Sequence, residues 1–401
     1  MANLYFERAI YPEFLKACQN DLILILTGAR QTGKTTFLKH IQQVLGGEEK
    51  SVFWVNLENP EFLDLLNHHP DNLFKITGLA PDSRQTVIVD EIQHLSNPTN
   101  FLKFIYDEYK GKTKLITSGS SSFYLDNRFK DSLAGRKRVF ELYTLNFGEF
   151  LRFRSADELV KELGCGVNSG LLHKGEMDVV LMEYLLYGGY PGVVLEKDIR
   201  MKKELLAELA LSHLRKDIFE SHIQEQNKYY SILKMLANNA GSLLNQATLA
   251  GAAGLSLSSV ERYVYVMQKS FQICLLRPFF RNVRKELTKM PKAYFFDLGL
   301  RNYFVNSFEP LVTRNDKGIL FENAVARELV FRYGQENIKF WRTQNHNEVD
   351  FIINEKSALE VKFSGNDIKR SKYELFAQNY PEIKLDFMTF DGLAAFLAGL
   401  N

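Results

Sequence analysis

The feature that most constrains this chain is a glycine-rich turn held between a buried strand and a helix. Residues 22–26, LILIL, form a short continuous apolar run that passes directly into TGARQTGKTT. A strand covered on both faces reads this way. The following FLKHIQQVL has helical spacing. Gly28-Ala29-Arg30-Gln31-Thr32-Gly33-Lys34-Thr35 fits G-x-x-x-x-G-K-[ST] at every fixed position. Each residue type has a physical reason. Glycine lets backbone N–H groups turn toward an anion. The helix opening near Lys34 directs its positive end at the same place. The expected nucleotide-binding set is Gly28, Arg30, Gln31, Thr32, Gly33, Lys34, Thr35 and Thr36. In it, Lys34 reaches the β- and γ-phosphates of ATP and the Thr35 hydroxyl ligates Mg²⁺.

Further strand candidates follow at 51–57 (SVFWVNL), 86–90 (TVIVD) and 114–118 (KLITS), with helical stretches such as FLKFIYDEY between them. Alternating strands and helices predict an α/β domain whose parallel sheet carries helices on both faces. The third strand ends Val87-Ile88-Val89-Asp90-Glu91. Asp90, at the strand's C-terminal edge, is expected to hold the metal, and Glu91 to orient and deprotonate the attacking water. Ser118 and Ser120 end the next strand, where a hydroxyl can sense the γ-phosphate. Arg136 reads equally as an arginine finger or sensor and as a solvated surface arginine.

GARQTGKTT, VDEIQ, TSGSSS, SLAGR and LYTLNFGEFL together resemble a family of bacterial and archaeal AAA-type ATPases. The likeness continues through YGGYP (Tyr187–Pro191), LRKDI (Leu214–Ile218) and PKAYFFDLGL (Pro291–Leu300), and so covers nearly the whole chain. It implies ATP binding and hydrolysis. It names no substrate, because the C-terminal domain of such proteins carries no assigned function.

At 401 residues the chain is too long for one core, and four segments are expected: an ATPase core over 1–150, a helical lid over 151–225, a winged helix over 226–290 and a terminal α/β domain over 291–401. In the third segment, LLNQATLAGAAGLSLSSVERYVYVMQKS reads as helix, tight turn at Gly254, helix. Asn245 or Gln246 opens the first helix; Ser256 to Ser259 cap the second, which carries Glu261, Arg262 and Tyr263. A strand and basic ribbon follow, with Arg277, Arg281, Arg284, Lys285 and Lys289 around Phe279 and Phe280. Such an element serves either DNA binding or packing as an adapter.

The terminal segment holds a second constellation. A helix beginning at Ile319 carries Glu322. Strand alternation and a tight turn at NEKS bring Asp350 of EVDFII beside Glu360 and Lys362 of ALEVKF. Glu322, Asp350 and Glu360 are then expected to bind Mg²⁺, with Lys362 positioning the attacking species. The pattern resembles the PD-(D/E)XK nuclease core, although Val349 stands where that pattern has proline. The same fold with all its ligands also serves as an inert binding or dimerisation module.

Net charge is +2, so a nucleic-acid partner needs a local basic patch. Cys18, Cys165 and Cys274 have no metal-ligand spacing and read as reduced thiols. The N-terminus lacks a signal-peptide pattern and no apolar run spans a bilayer. A cytoplasmic protein is therefore expected. Its expected partners are ATP and DNA, with a further copy of the chain or another protein as candidates. Two functions compete: ATP hydrolysis coupled to DNA binding or processing, and an ATP-controlled interaction protein with an inert terminal domain.

Overall fold

The computed structural model describes residues 5–47, 52–78, 80–81, 84–119, 133–156, 158–159, 174–221, 223–280, 286 and 289–398. The chain divides into two compact units, one formed mainly by residues 1–143 and the other mainly by 144–401. The lid, winged-helix and nuclease-like segments named above fall almost wholly in the second.

The first unit is a five-stranded sheet of β1 (Ile23–Thr27), β2 (Val52–Asn56), β3 (Gln85–Asp90), β4 (Thr113–Ser118) and β5 (Lys137–Glu141), in the order β2-β3-β4-β1-β5. Every neighbouring pair is parallel. Strand alternation divides the apolar side chains into two cores. Ile23, Ile25, Val87, Val89 and Leu115 pack on one face with Leu102 and Ile105 of the helix Pro98–Tyr109. Leu24, Leu26, Ile88 and Ile116 pack on the other with Phe37, Leu38 and Ile41 of the helix Lys34–Gly46. Burial on both faces explains the near-continuous apolar runs.

The second unit joins helices to a mixed six-stranded sheet of β6 (Ile273–Pro278), β7 (Lys292–Phe295), β8 (Ile338–Arg342), β9 (Glu348–Ile353), β10 (Ser357–Val361) and β11 (Lys384–Met388), ordered β11-β10-β9-β8-β6-β7. Helices Gln226–Asn238, Gln246–Ala253 and Leu257–Lys269 precede the antiparallel β6–β7 hairpin. The Asn245 side chain accepts from Thr248 N–H at 3.1 Å and Ser256 Oγ accepts from Ser259 N–H at 3.1 Å, so both predicted caps are made. The hairpin also continues into the terminal sheet, because β6 pairs with β8 in parallel.

The YGGYP and PKAYFFDLGL segments of this unit lock to one another. Asp297 caps the helix Leu298–Val305 by accepting from Leu300 N–H at 3.0 Å, and accepts from Gly189 N–H at 2.9 Å. A Cβ at Gly299 would lie 2.1 Å from the Tyr187 carbonyl oxygen, a distance only glycine permits. Buried Arg327 donates to the carbonyls of Thr144 at 2.8 Å, Leu145 at 2.7 Å and Phe296 at 2.5 Å. YGGYP and FFDLGL are thus two sides of one packed junction.

Candidate functional sites

The first site lies where the C-terminal ends of β1, β3 and β4 meet. Gly28 leaves β1 with its backbone against the residue that follows β5: a Cβ there would meet the Leu142 carbonyl oxygen at 2.1 Å. Gly33 has φ 93° at the N-cap of the helix Lys34–Gly46. The Thr32 hydroxyl donates to the Ala29 carbonyl at 2.9 Å, and buried Arg8 donates to the Thr32 carbonyl at 2.8 Å. These bonds brace the loop from inside and behind. Gln31 and Thr36 are exposed and Arg30 is half-buried.

Lys34 is buried, and its ammonium donates to the carbonyls of Gly28 at 3.0 Å and Ala29 at 2.8 Å. The Thr35 hydroxyl donates to Asp90 Oδ2 at 3.1 Å, and Ser118 Oγ donates to Asp90 Oδ1. Burial pushes the Asp90 carboxyl above its ordinary value, while the hydrogen bonds from Ser118 and Thr35 pull it back. Glu91 adopts φ 60°, ψ 47°, with its N–H donating to Ser118 Oγ at 3.0 Å and its carboxylate accepting from Gln93. Because β4 lies between β1 and β3, Ser118 becomes the brace that holds the Asp90–Glu91 corner.

Arg136 departs from the expectation of a catalytic residue acting within the chain. Its carbonyl accepts from Ile23 N–H at 2.9 Å, at the opening end of β1, whereas the P-loop follows Thr27 at the other end. Five residues of strand separate the two by about 17 Å. Its guanidinium instead pairs with Asp107 at 2.7 Å. Ser120 lies outside the described residues.

In the second unit Glu322, Asp350, Glu360 and Lys362 do come together. Continuing the β9–β10 register by one residue sets Glu360 opposite Asp350. Asp350 N–H donates to Glu360 Oε2 at 3.2 Å and Val361 N–H to Asp350 Oδ2 at 2.9 Å. Lys362 donates to Glu360 and lies 3.9 Å from Asp350 Oδ2. The expected carboxylate-bound metal is not what this group is arranged around. Lys292 of β7, 2% exposed, enters it with Nζ 2.6 Å from Glu348, 3.1 Å from Glu322 and 3.8 Å from Asp350. Burial opposes the Lys292 charge, yet Glu322, Asp350 and Glu348 outweigh it and hold the ammonium above the ordinary lysine range. Burial, then Glu322 and Glu360, push the Asp350 carboxyl well up. Among the described residues, no three His, Cys, Asp or Glu side chains are grouped so as to hold a metal ion. Sequence reasoning missed Lys292 and Glu348 because neither falls in the acid–acid-x-lysine pattern. The available signal was a lysine inside the otherwise apolar PKAYFF strand.

On the helix Leu257–Lys269, Leu257, Ser258, Glu261, Arg262 and Tyr265 are exposed, whereas Tyr263 is buried. Arg277 is exposed. Lys289 is also exposed. The rest of the basic ribbon, Arg281, Arg284 and Lys285, lies outside the described residues, as do the Leu214, Lys216 and Asp217 side chains of LRKDI. Phe279 is buried in the terminal sheet's core.

A parallel sheet with a glycine-rich loop and an acidic corner at one edge defines a P-loop nucleotide-binding domain. Residues 20–151 match the family described as an AAA domain. The first unit is accordingly AAA-type. Residues 179–310 and 317–390 match two domains of unknown function, DUF8612 and DUF4143. An uncharacterized protein of Methanocaldococcus jannaschii is 29% identical, covering 91% of this chain and 80% of its own length. One from Mycobacterium tuberculosis is 25% identical, covering 89% and 72%. Among solved structures, AMPPCP-bound DnaA from Aquifex aeolicus has a TM-score of 0.34 at 15% identity, covering 67% of this chain and 90% of that one. Among the described residues, no helix is long and apolar enough to cross a membrane.

Proposed function

We propose that this chain binds and hydrolyses ATP with Mg²⁺ at the P-loop, and that the nucleotide controls an interaction surface on a second unit that does not itself cut nucleic acid. The observation that carries the first part is the Thr35–Asp90 hydrogen bond, which joins the loop to the acidic corner as a shared metal site requires. In this reading Lys34 transfers its hydrogen bonds from the Gly28 and Ala29 carbonyls to the β- and γ-phosphates. Thr35 and Asp90 hold the metal, which supplies charge neutralisation for the phosphate oxygens. Glu91, fixed through its backbone by Ser118, orients water and takes its proton. Arg136 has no part in the same chain's site.

Two observations favour the interaction surface over DNA processing. Lys292 lies among the terminal acids, and the exposed face of the helix Leu257–Lys269 balances Glu261 against Arg262 while presenting Leu257 and Tyr265. DNA binding is the second reading. It is favoured by the order of three helices and a hairpin, with Arg277 on the hairpin. ATP turnover by the full chain, with and without single-stranded and duplex DNA, separates them. Turnover unaffected by DNA is expected; stimulation by DNA would establish the second reading.

A further inference from the structure

We infer that the Lys292 ammonium group stands where a divalent cation would have to sit among Glu322, Glu348 and Asp350, so the C-terminal fold is a metal-independent module with an internal cation. This is independent of the ATP reading. The first support is volume. Mg²⁺ needs about six oxygens at about 2.0–2.1 Å. Here Nζ takes the centre, 2.6 Å from Glu348 and 3.1 Å from Glu322, on a side chain 2% exposed. The Phe340 ring, 5.5 Å from Nζ, adds a favourable wall on another side.

The second support is hydrogen bonding. Tyr294 donates its hydroxyl to the same Glu322 oxygen at 2.7 Å. Val361 N–H holds Asp350 Oδ2, while the Tyr373 hydroxyl at 2.8 Å and Asp350 N–H occupy the two oxygens of Glu360. A metal at these oxygens would have to compete with donors that the fold already supplies.

Charge is the third. Four carboxylates, Glu322, Glu348, Asp350 and Glu360, face three cations, Lys292, Arg342 and Lys362. Removing Lys292 leaves four against two, an excess of two negative charges and the complement of one divalent ion. A divalent metal at Glu322 and Asp350 therefore does not fit beside Lys292, whereas the charge left without Lys292 matches that of one divalent ion.

Melting of the full-length protein tests this, without nucleotide and with Asp90→Asn so that the P-loop does not report metal. Mn²⁺ is expected to leave the melting temperature unchanged. Lys292→Met is expected to lower it, and Mn²⁺ at a hundredfold excess over its Kd to restore roughly 5 °C. Adding Asp350→Asn should abolish that recovery, and electron paramagnetic resonance should count one bound Mn²⁺ in Lys292→Met alone. A Mn²⁺-dependent rise in the protein retaining Lys292, removed by Asp350→Asn, would overturn the inference. So would a folded Lys292→Met that Mn²⁺ neither binds nor stabilises. If Lys292→Met fails to fold, the protein retaining Lys292 decides: binding of Mn²⁺ that depends on Asp350 overturns the inference, and its absence upholds it.

Discussion

Lys34 is the buried cation that the P-loop offers to phosphate, and its ammonium is already turned into the loop. Lys34→Ala removes a charge-assisted contact, so ATP affinity should fall about 10- to 100-fold by calorimetric titration. Asp297 permits a test through pH. Burial raises its carboxyl from 3.8 to about 6, against the pull of the Gly189 and Leu300 N–H groups. A carboxyl raised on folding binds more protons in the native state. Its stabilising contribution is full below about pH 4 and is lost as pH rises through about 6. Relative to Asp297→Asn, the wild type should therefore lose about 3 kcal/mol between pH 4 and pH 7. Denaturant unfolding at several pH values measures this, and a difference independent of pH would place the Asp297 proton elsewhere.

At the scale of elements, legibility followed burial and local chemistry. The four strands read from apolar runs coincide with β1 to β4, since a parallel sheet covered on both faces leaves little room for polar residues. The loop Gly28 to Thr35 and the Asp90–Glu91 corner were legible because each is a short local pattern at the end of a buried strand. Asp350, Glu360 and Lys362 were legible because strand parity is local. Lys292 was not, since its place depends on a side chain of β7 reaching the acids of β9, a strand it does not pair with, and no periodicity records that. The two readings of Arg136 could not be separated for a related reason: its motif does not reveal that it precedes β5 at the sheet end away from the P-loop. The packing of YGGYP against FFDLGL was likewise unreadable. Gly299→Ala should drive a Cβ into the Tyr187 carbonyl and cost about 3 kcal/mol, lowering the melting temperature by roughly 6–12 °C. An unchanged melting temperature would mean that the junction yields.

For the whole molecule, the near-neutral charge and the mixed face of the helix Leu257–Lys269 set the expectation for partners. Should duplex DNA bind through that helix and the hairpin, affinity must fall steeply with salt, and reversing Arg262 and Arg277 must reduce the slope of log K against log salt by about 2. Filter binding from low to moderate salt should instead show weak association that these reversals leave alone. The central claim concerns the P-loop corner, and one comparison reaches it most directly: ATP binding and single-turnover hydrolysis by wild type and Glu91→Gln with Mg²⁺. The amide cannot accept the proton of water but leaves Lys34, Thr35 and Asp90 in place. Binding should persist within a few-fold while hydrolysis falls about 10²- to 10⁴-fold. Wild-type turnover retained by Glu91→Gln, or no Mg²⁺-dependent ATP binding by either protein, would contradict the account.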